Sequence, residues 1–406
     1  MIKRIILMAL ALFSICTSSF VKADSGIVVL DSDVELRFPV ALVFNIEAES
    51  EADIVDARLK YYVDKMNYAR VISEGWPDFT PASKIKTSWT WDMRKSSLPS
   101  GATVTYWWTI RDAIGNEIET LPAVIHFDDD RYQWQSLTSS KFPDESQALE
   151  GENSELTLFW YKGDDSFASE LMDACQQGLD RLTRDLGTYP QKPIKIYVYA
   201  SAMDLQEAMI FPQEWTGGVA FTEFSIIAIG ISPDNIDWGK ESLVHELTHL
   251  VVHQTTFSPY GRLPTWLDEG LAMYNQGELS SYFRTRLNSA ISEGELISVR
   301  SLCSLFSAET DKACLSYAES YSLVEYLLHH YGQQKMLDLL TVLRYGNTYD
   351  EALTEIYGFD VDGLDLRWRE TLVTPAVPAE TVWLHPGAIA VSSINPVTSF
   401  NRHLNR

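Results

Sequence analysis

The chain has 406 residues, more than one ordinary hydrophobic core accommodates, so two domains are expected. Its apolar fraction of 46% and charged fraction of 22% are those of a well-packed soluble protein. With 56 acidic against 32 basic residues the formal charge is −24, which argues against nucleic acid or anionic lipid as a partner.

The first residues read as a leader. Lys3 and Arg4 precede an almost unbroken apolar run over 5–15, and Val21-Lys22-Ala23 offers the residues a signal peptidase reads. That run is shorter than the roughly 20 residues a membrane span needs. Ser14-Ile15 before Cys16 does not fit the small-residue box of lipoproteins. Residues 1–23 are therefore expected to be a signal peptide cleaved near Ala23, with the mature protein secreted or periplasmic. Cleavage removes Lys3, Arg4 and Lys22, leaving 29 basic residues against 56 acidic ones and a formal charge of −27. No later stretch is long or apolar enough for stable membrane insertion.

From 24 to 130 the apolar pattern has period two. Strands are expected at 42–49, 54–63, 84–91, 103–111 and 117–127, with turns at Leu98-Pro99-Ser100-Gly101 and over 112–116. Regular short strands over about a hundred residues suggest an immunoglobulin-like or fibronectin-like β-sandwich. Trp89, Trp91, Trp107 and Trp108 are expected in its core and on its sheet faces. Residues 131–155, rich in Ser, Glu, Asp and Gly, read as a linker.

The pattern then becomes mixed α/β. A strand at 156–161, an amphipathic helix at 166–186 ending at Gly187, and strands at 194–199 and 217–231 are followed by helices to about residue 372. A tail at 374–406 holds four prolines, Pro375, Pro378, Pro386 and Pro396, without helical period. Three cysteines follow the leader. Cys175 falls on the apolar stripe of its helix and is expected to be a buried core residue. Cys303 and Cys314 flank a polar turn, and a disulfide between them is expected, contributing about 3 kcal/mol or less.

The chemistry is concentrated in Glu241-Ser242-Leu243-Val244-His245-Glu246-Leu247-Thr248-His249. On a helix His245 and His249 lie one turn apart on one face, so both imidazoles can converge on one ion. Glu246 flanks that face, where its carboxylate reaches an attacking water and accepts its proton. A catalytic zinc takes three protein ligands and leaves one position open. Glu269, in Trp266-Leu267-Asp268-Glu269-Gly270, follows Pro264-Thr265 at a helix start and supplies the third ligand. Gly270 costs about 1 kcal/mol in a helix relative to Ala, tolerable where a neighbouring backbone packs closely. His253 lies one turn beyond His249 but is rotated about 80° from His245, and it reads as solvated or as an outer partner of the site. A metal-binding His needs an acceptor on its other nitrogen, and Asp268 and Glu241 are the candidates for His245.

His245-Glu246-x-x-His249 followed by Trp266-Leu267-Asp268-Glu269-Gly270 resembles the gluzincin metallopeptidases. It is most similar to the exported peptidase MA-like family and more distantly resembles thermolysin and aminopeptidase N enzymes. The resemblance covers roughly residues 156–372. It implies one zinc ion on His245, His249 and Glu269, Glu246 as base and proton shuttle, and a peptide or protein substrate. It implies that the strand at Gly217-Gly218-Val219-Ala220 is the edge along which a substrate backbone lies. The helix Tyr317-Ala318-Glu319-Ser320-Tyr321 is similar to one whose first Tyr donates a hydrogen bond to the oxyanion, which points to Tyr317. Its alternatives are a core role for Tyr317, or His329 or His330 in the same task. Two departures stand out. No acidic residue follows Gly217-Gly218, where aminopeptidase N enzymes bind a free N-terminus, and Glu223 comes three residues late. Met273 stands where thermolysin-like enzymes carry a carboxylate.

The expected fold class is α+β: an immunoglobulin-like β-sandwich at 24–130, then a zincin-like α/β metallopeptidase domain at 156–373 with a helical C-terminal part. The expected function is hydrolysis of peptide bonds by a zinc-activated water with Glu246 as general base. The alternative is a catalytically retired peptidase-like fold that serves binding or adhesion through the sandwich.

Overall fold

The computed structural model describes residues 26–139, 155–212 and 217–373. The expected leader at 1–23 and tail at 374–406 lie outside the described residues.

The N-terminal region is built on one long strand. Among the described residues β1 (Val28–Arg37), β2 (Ala41–Val63), β3 (Ser73–Gly75), β4 (Ala82–Asp92), β5 (Ala102–Asp112), β6 (Glu117–Glu119) and β7 (Ala123–Phe127) form a single seven-stranded sheet. The strands expected at 42–49 and 54–63 are the two halves of β2. Its first half pairs with β1 and β4, its second with β3 and β5, and the register shifts between Glu49 and Ile54. The two halves fold onto each other: the Tyr61 ring lies 4.7 Å from Trp91, and Phe44 meets Tyr106 edge-on at 5.0 Å. Alternate residues Val104, Tyr106, Trp108 and Ile110 of β5 fill the enclosed core with Leu42, Phe44, Ile46 and Leu59. The interior is sandwich-like, but β2 joins every strand into one sheet, where an immunoglobulin-like sandwich has two.

A second sheet carries the rest. β8 (Gln135–Ser139), β9 (Leu156–Trp160), β10 (Ile194–Tyr199), β11 (Gly218–Phe221) and β12 (Ile226–Gly230) are ordered β11-β12-β10-β9-β8. β10 runs parallel to β9 and β12, while β11 and β8 are antiparallel at the edges. β8 falls within the stretch expected as linker: its polar residues pair with β9, a contact that local composition does not reveal. Against this sheet pack α1 (Asp165–Leu186), α2 (Ala202–Glu207) and α3 (Ile236–Thr256), while α4 (Thr265–Gln276), α5 (Ser281–Glu293), α6 (Val299–Leu302), α7 (Thr310–Arg344), α8 (Tyr349–Tyr357) and α9 (Val361–Val373) pack on these helices and on one another. α1 starts at Asp164, whose carboxylate accepts from Phe167 N–H at 2.9 Å, and stops at Gly187 in the left-handed conformation. Its buried stripe of Phe167, Leu171, Cys175, Leu179 and Leu186 joins a core with Leu243, Leu247 and Leu250 of α3. That buries one face of the helix bearing the two histidines.

The two regions are pinned together. Lys195 Nζ donates to the Gly101 carbonyl at 3.0 Å, and the Tyr197 hydroxyl donates to Asp128 at 3.1 Å. Trp134 packs edge-on against Tyr161, Tyr197 and Tyr199, each at 5.2 Å. After β2, Met66 N–H donates to the Glu223 carbonyl at 2.6 Å, and the Tyr68 hydroxyl donates to the Phe257 carbonyl at 2.7 Å. Among the described residues no helix is long and apolar enough to cross a membrane.

Candidate metal centre

α3 and α4 meet at their polar faces. His245 and His249 stand one turn apart on α3, and the intervening turn brings their Nε2 atoms within 3.2 Å. α4 starts after Pro264, which fixes the entry backbone, and sets Glu269 opposite them. Glu269 Oε2 is 3.4 Å from His245 Nε2 and 3.5 Å from His249 Nε2. Ligands of a tetrahedral zinc at about 2.0–2.1 Å lie about 3.3–3.4 Å from one another. The three atoms therefore form one face of such a tetrahedron, and they fit the ion. Oε2 of Glu269 is buried and accepts no hydrogen bond, which is costly unless a cation completes it.

The electrostatics agree. Burial alone pushes the Glu269 carboxyl up, but His249 and His245 outweigh it and bring its pKa down to about 2. Burial opposes charge on His249, yet Asp268 and Glu269 raise its pKa well above that of an ordinary imidazole. The Asp268 carboxyl, also buried, is held far below the usual range by His249 and His253. The pocket favours positive charge.

The outer partners differ from the expected ones. Asp268 Oδ1 accepts from Nδ1 of His249, not of His245, at 2.9 Å. His245 Nδ1 lies 3.3 Å from Oε1 of Gln276, and Glu241 is exposed. Asp268 follows Leu267 at the start of α4 and so faces the C-terminal half of α3. Gln276 was open to discovery: seven residues after Glu269, it falls on the same helix face two turns on. Of the two readings open for His253, solvated residue or outer partner, it takes the second, with Nε2 2.9 Å from Asp268 Oδ2.

Glu246 lies against the sheet edge. A β-carbon at Gly218 would stand 3.2 Å from Cγ and Oε1 of Glu246, so the missing side chain lets β11 pass beside this carboxylate. β11 is one of the two edge strands of its sheet. Glu223, just past β11, pairs with Lys65 of the N-terminal region at 2.9 Å.

Tyr317, on α7, is half-buried and meets Phe306 edge-on at 5.2 Å. Burial raises its pKa, and the Glu269 and Glu246 carboxylates raise it further, so the hydroxyl lies in the field of the site. His329 and His330 are exposed; they contact each other, and His330 Nδ1 donates to the Tyr326 carbonyl at 3.0 Å. The expected disulfide is absent. Cys303 and Cys314 are free thiols, Cys303 Sγ donating to the Val299 carbonyl at 3.4 Å and Cys314 accepting from the Tyr282 hydroxyl at 3.7 Å. Each sulfur is committed to its own helix surroundings.

Comparison with known proteins places this site in a family. Residues 174–374 match the model of the Peptidase MA superfamily. Among curated proteins no match is found. Among solved structures the chain is similar to OgpA from Akkermansia muciniphila, with 14% identity, a TM-score of 0.20 and 27% of this chain covered. That likeness spans only 30% of OgpA. It is similar also to an M1 zinc metallopeptidase from Deinococcus radiodurans, at 10% identity and a TM-score of 0.34, covering 87% of this chain and 96% of that one. Aminopeptidase A from Legionella pneumophila matches at 11% identity and a TM-score of 0.37, over 84% of this chain and 49% of that one. The matched residues 174–374 contain both histidines, Glu246, Glu269 and Tyr317, so the likeness to the Peptidase MA superfamily falls on the site itself.

Proposed function

We propose that the protein is an exported zinc-dependent metallopeptidase, with one ion held by His245, His249 and Glu269 and with Glu246 as general base. The observation that carries this reading is the triangle of ligand atoms, 3.2–3.5 Å on each side, closed by a buried carboxylate oxygen without a hydrogen bond. Zinc in that position would polarise the scissile carbonyl and acidify the attacking water.

The chain's own residues supply the remaining steps. An extended peptide pairs with the free edge of β11, whose Gly218 leaves room beside Glu246. Glu246 accepts a proton from the attacking water and passes it to the amine nitrogen as the C–N bond breaks. Tyr317 donates its O–H to the oxyanion that forms at the carbonyl. Asp268 and Gln276 hold the two imidazoles through their outer nitrogens. The substrate is a peptide or protein.

The test is Glu246→Gln in the purified chain, with casein as an unfolded substrate. The variant should keep one zinc per chain and lose hydrolysis by about 10²–10⁴-fold. Undiminished hydrolysis in the zinc-loaded variant overturns the role of Glu246, and a wild type that binds no zinc overturns the whole reading.

A further inference from the structure

Asp268 stands between two histidines of α3. Its Oδ1 is 2.9 Å from Nδ1 of His249, and its Oδ2 is 2.9 Å from Nε2 of His253. A carboxylate has only lone pairs to offer, so both rings must donate. For His249 this puts the proton on Nδ1 and leaves the Nε2 lone pair aimed into the ligand triangle, 3.2 Å from His245 Nε2. His253 has its proton on Nε2 and lies one helical turn beyond His249.

Two donors on two oxygens do what one cannot. A carboxylate held only by His249 can turn about its terminal bond and carry the imidazole plane with it. The second hydrogen bond fixes both oxygens and thereby the direction from which Oδ1 receives the His249 proton. Ligand atoms of His249, His253 and Asp268 are also close enough together to hold an ion of their own. Each ring nitrogen, however, sits at hydrogen-bond distance from a different oxygen, as two separate donors do.

We propose that His253 is a positioning residue: its Nε2–H clamps Asp268 and so fixes the tautomer and ring plane of the metal ligand His249. The proposal rests on the zinc-site reading above. It makes the site one layer deeper than its ligands and their immediate partners, with His253 at the solvent-facing end.

The test uses the full chain and measures zinc affinity by competition with a chromophoric chelator, alongside metal content and the melting temperature of the metal-free protein. His253→Leu removes the donor, and His253→Gln keeps one, because its amide nitrogen reaches the position of Nε2. His253→Leu should weaken zinc binding about 10-fold, the lower end of what losing an outer partner costs. His253→Gln should bind near wild-type strength, with the metal-free melting temperatures of both variants alike. If His253→Leu does not fold, His253→Ala, which suits a helix and also removes the donor, takes its place with the same expected weakening. Zinc bound as tightly by His253→Leu as by wild type overturns the clamp. So does His253→Gln as weak as His253→Leu, because shape alone would then explain the loss. Two zinc ions in wild type and one in both variants would replace the clamp by a second metal position. A wild type without zinc is a different failure, that of the underlying site.

Discussion

Two glutamates on neighbouring helices, each with a buried oxygen, have opposite fates. Glu269 on α4 and Glu319 on α7 each bury an Oε2 atom that accepts no hydrogen bond. Burial raises the pKa of both, yet Glu269 ends at about 2 and Glu319 at about 8. The surroundings decide. Glu269 faces two imidazoles whose positive potential overrides burial. Among the described residues Glu319 accepts only the Ile297 N–H at 3.0 Å, and the nearby Arg369 guanidinium spends its hydrogen bonds on the Asp365 carboxylate and on the Leu296 and Ile297 carbonyls. One carboxyl calls for a cation and the other keeps its proton. An unpaired buried oxygen therefore marks a metal ligand only when the donors around it converge.

Three substitutions press on that contrast. The largest effect is expected from Glu269→Ala, which should weaken zinc binding by well over about 100-fold, beyond the cost of losing an outer partner. Glu319→Gln should leave metal content unchanged, and zinc loss there would erase the distinction. Next comes Tyr317→Phe, which removes one O–H and should slow casein hydrolysis by about 10²–10³-fold at unchanged zinc content. Loss of zinc in that variant would make Tyr317 a packing residue instead. The smallest effect is on stability. An unfolded glutamate titrates near ~4.3, whereas folded Glu319 titrates at about 8. Between those values the folded state holds the extra proton, so stability is full below the window and falls as pH rises through 8. Glu319→Gln cannot ionise. It should melt close to wild type at about pH 5 and a few degrees above it at about pH 9, as followed by circular dichroism. A wild type that loses no stability over that range would show Glu319 to be ionised throughout.

The triangle of candidate ligands was legible in the sequence because helix geometry converts spacing directly into position. His245 and His249 had to share a face, and Glu269 arrived with its own helix start. The outer shell was less legible. Asp268 was a candidate partner for His245, but only the crossing of α3 and α4 reveals that it reaches His249. Gln276 shares the helix face of Glu269 two turns on, but a neutral amide carries no ligand signature, so spacing alone did not single it out. In the N-terminal region period two identified strands but not their connection. Residues 50–53 look like a break between strands, whereas β2 runs through them with a register shift. β8 was hidden for a related reason: its exposed and half-buried polar residues owe their conformation to β9, about twenty residues on in the sequence. The thiols of Cys303 and Cys314 were close along the chain, and sequence separation does not report which way a side chain points.

Gly270 bears on how the site keeps its dimensions. A β-carbon there would land on the Ser320 carbonyl and on Val324, so α4 and α7 touch backbone to backbone at this point. Glu269 is the residue before that contact, and Tyr317 is one turn before Ser320. The separation between the proposed metal ligand and the proposed oxyanion donor is thus gauged by main-chain atoms, which cannot change rotamer. The contact acts as a fixed rivet: side chains elsewhere around the candidate site can change rotamer, while the span from Glu269 to Tyr317 is held constant.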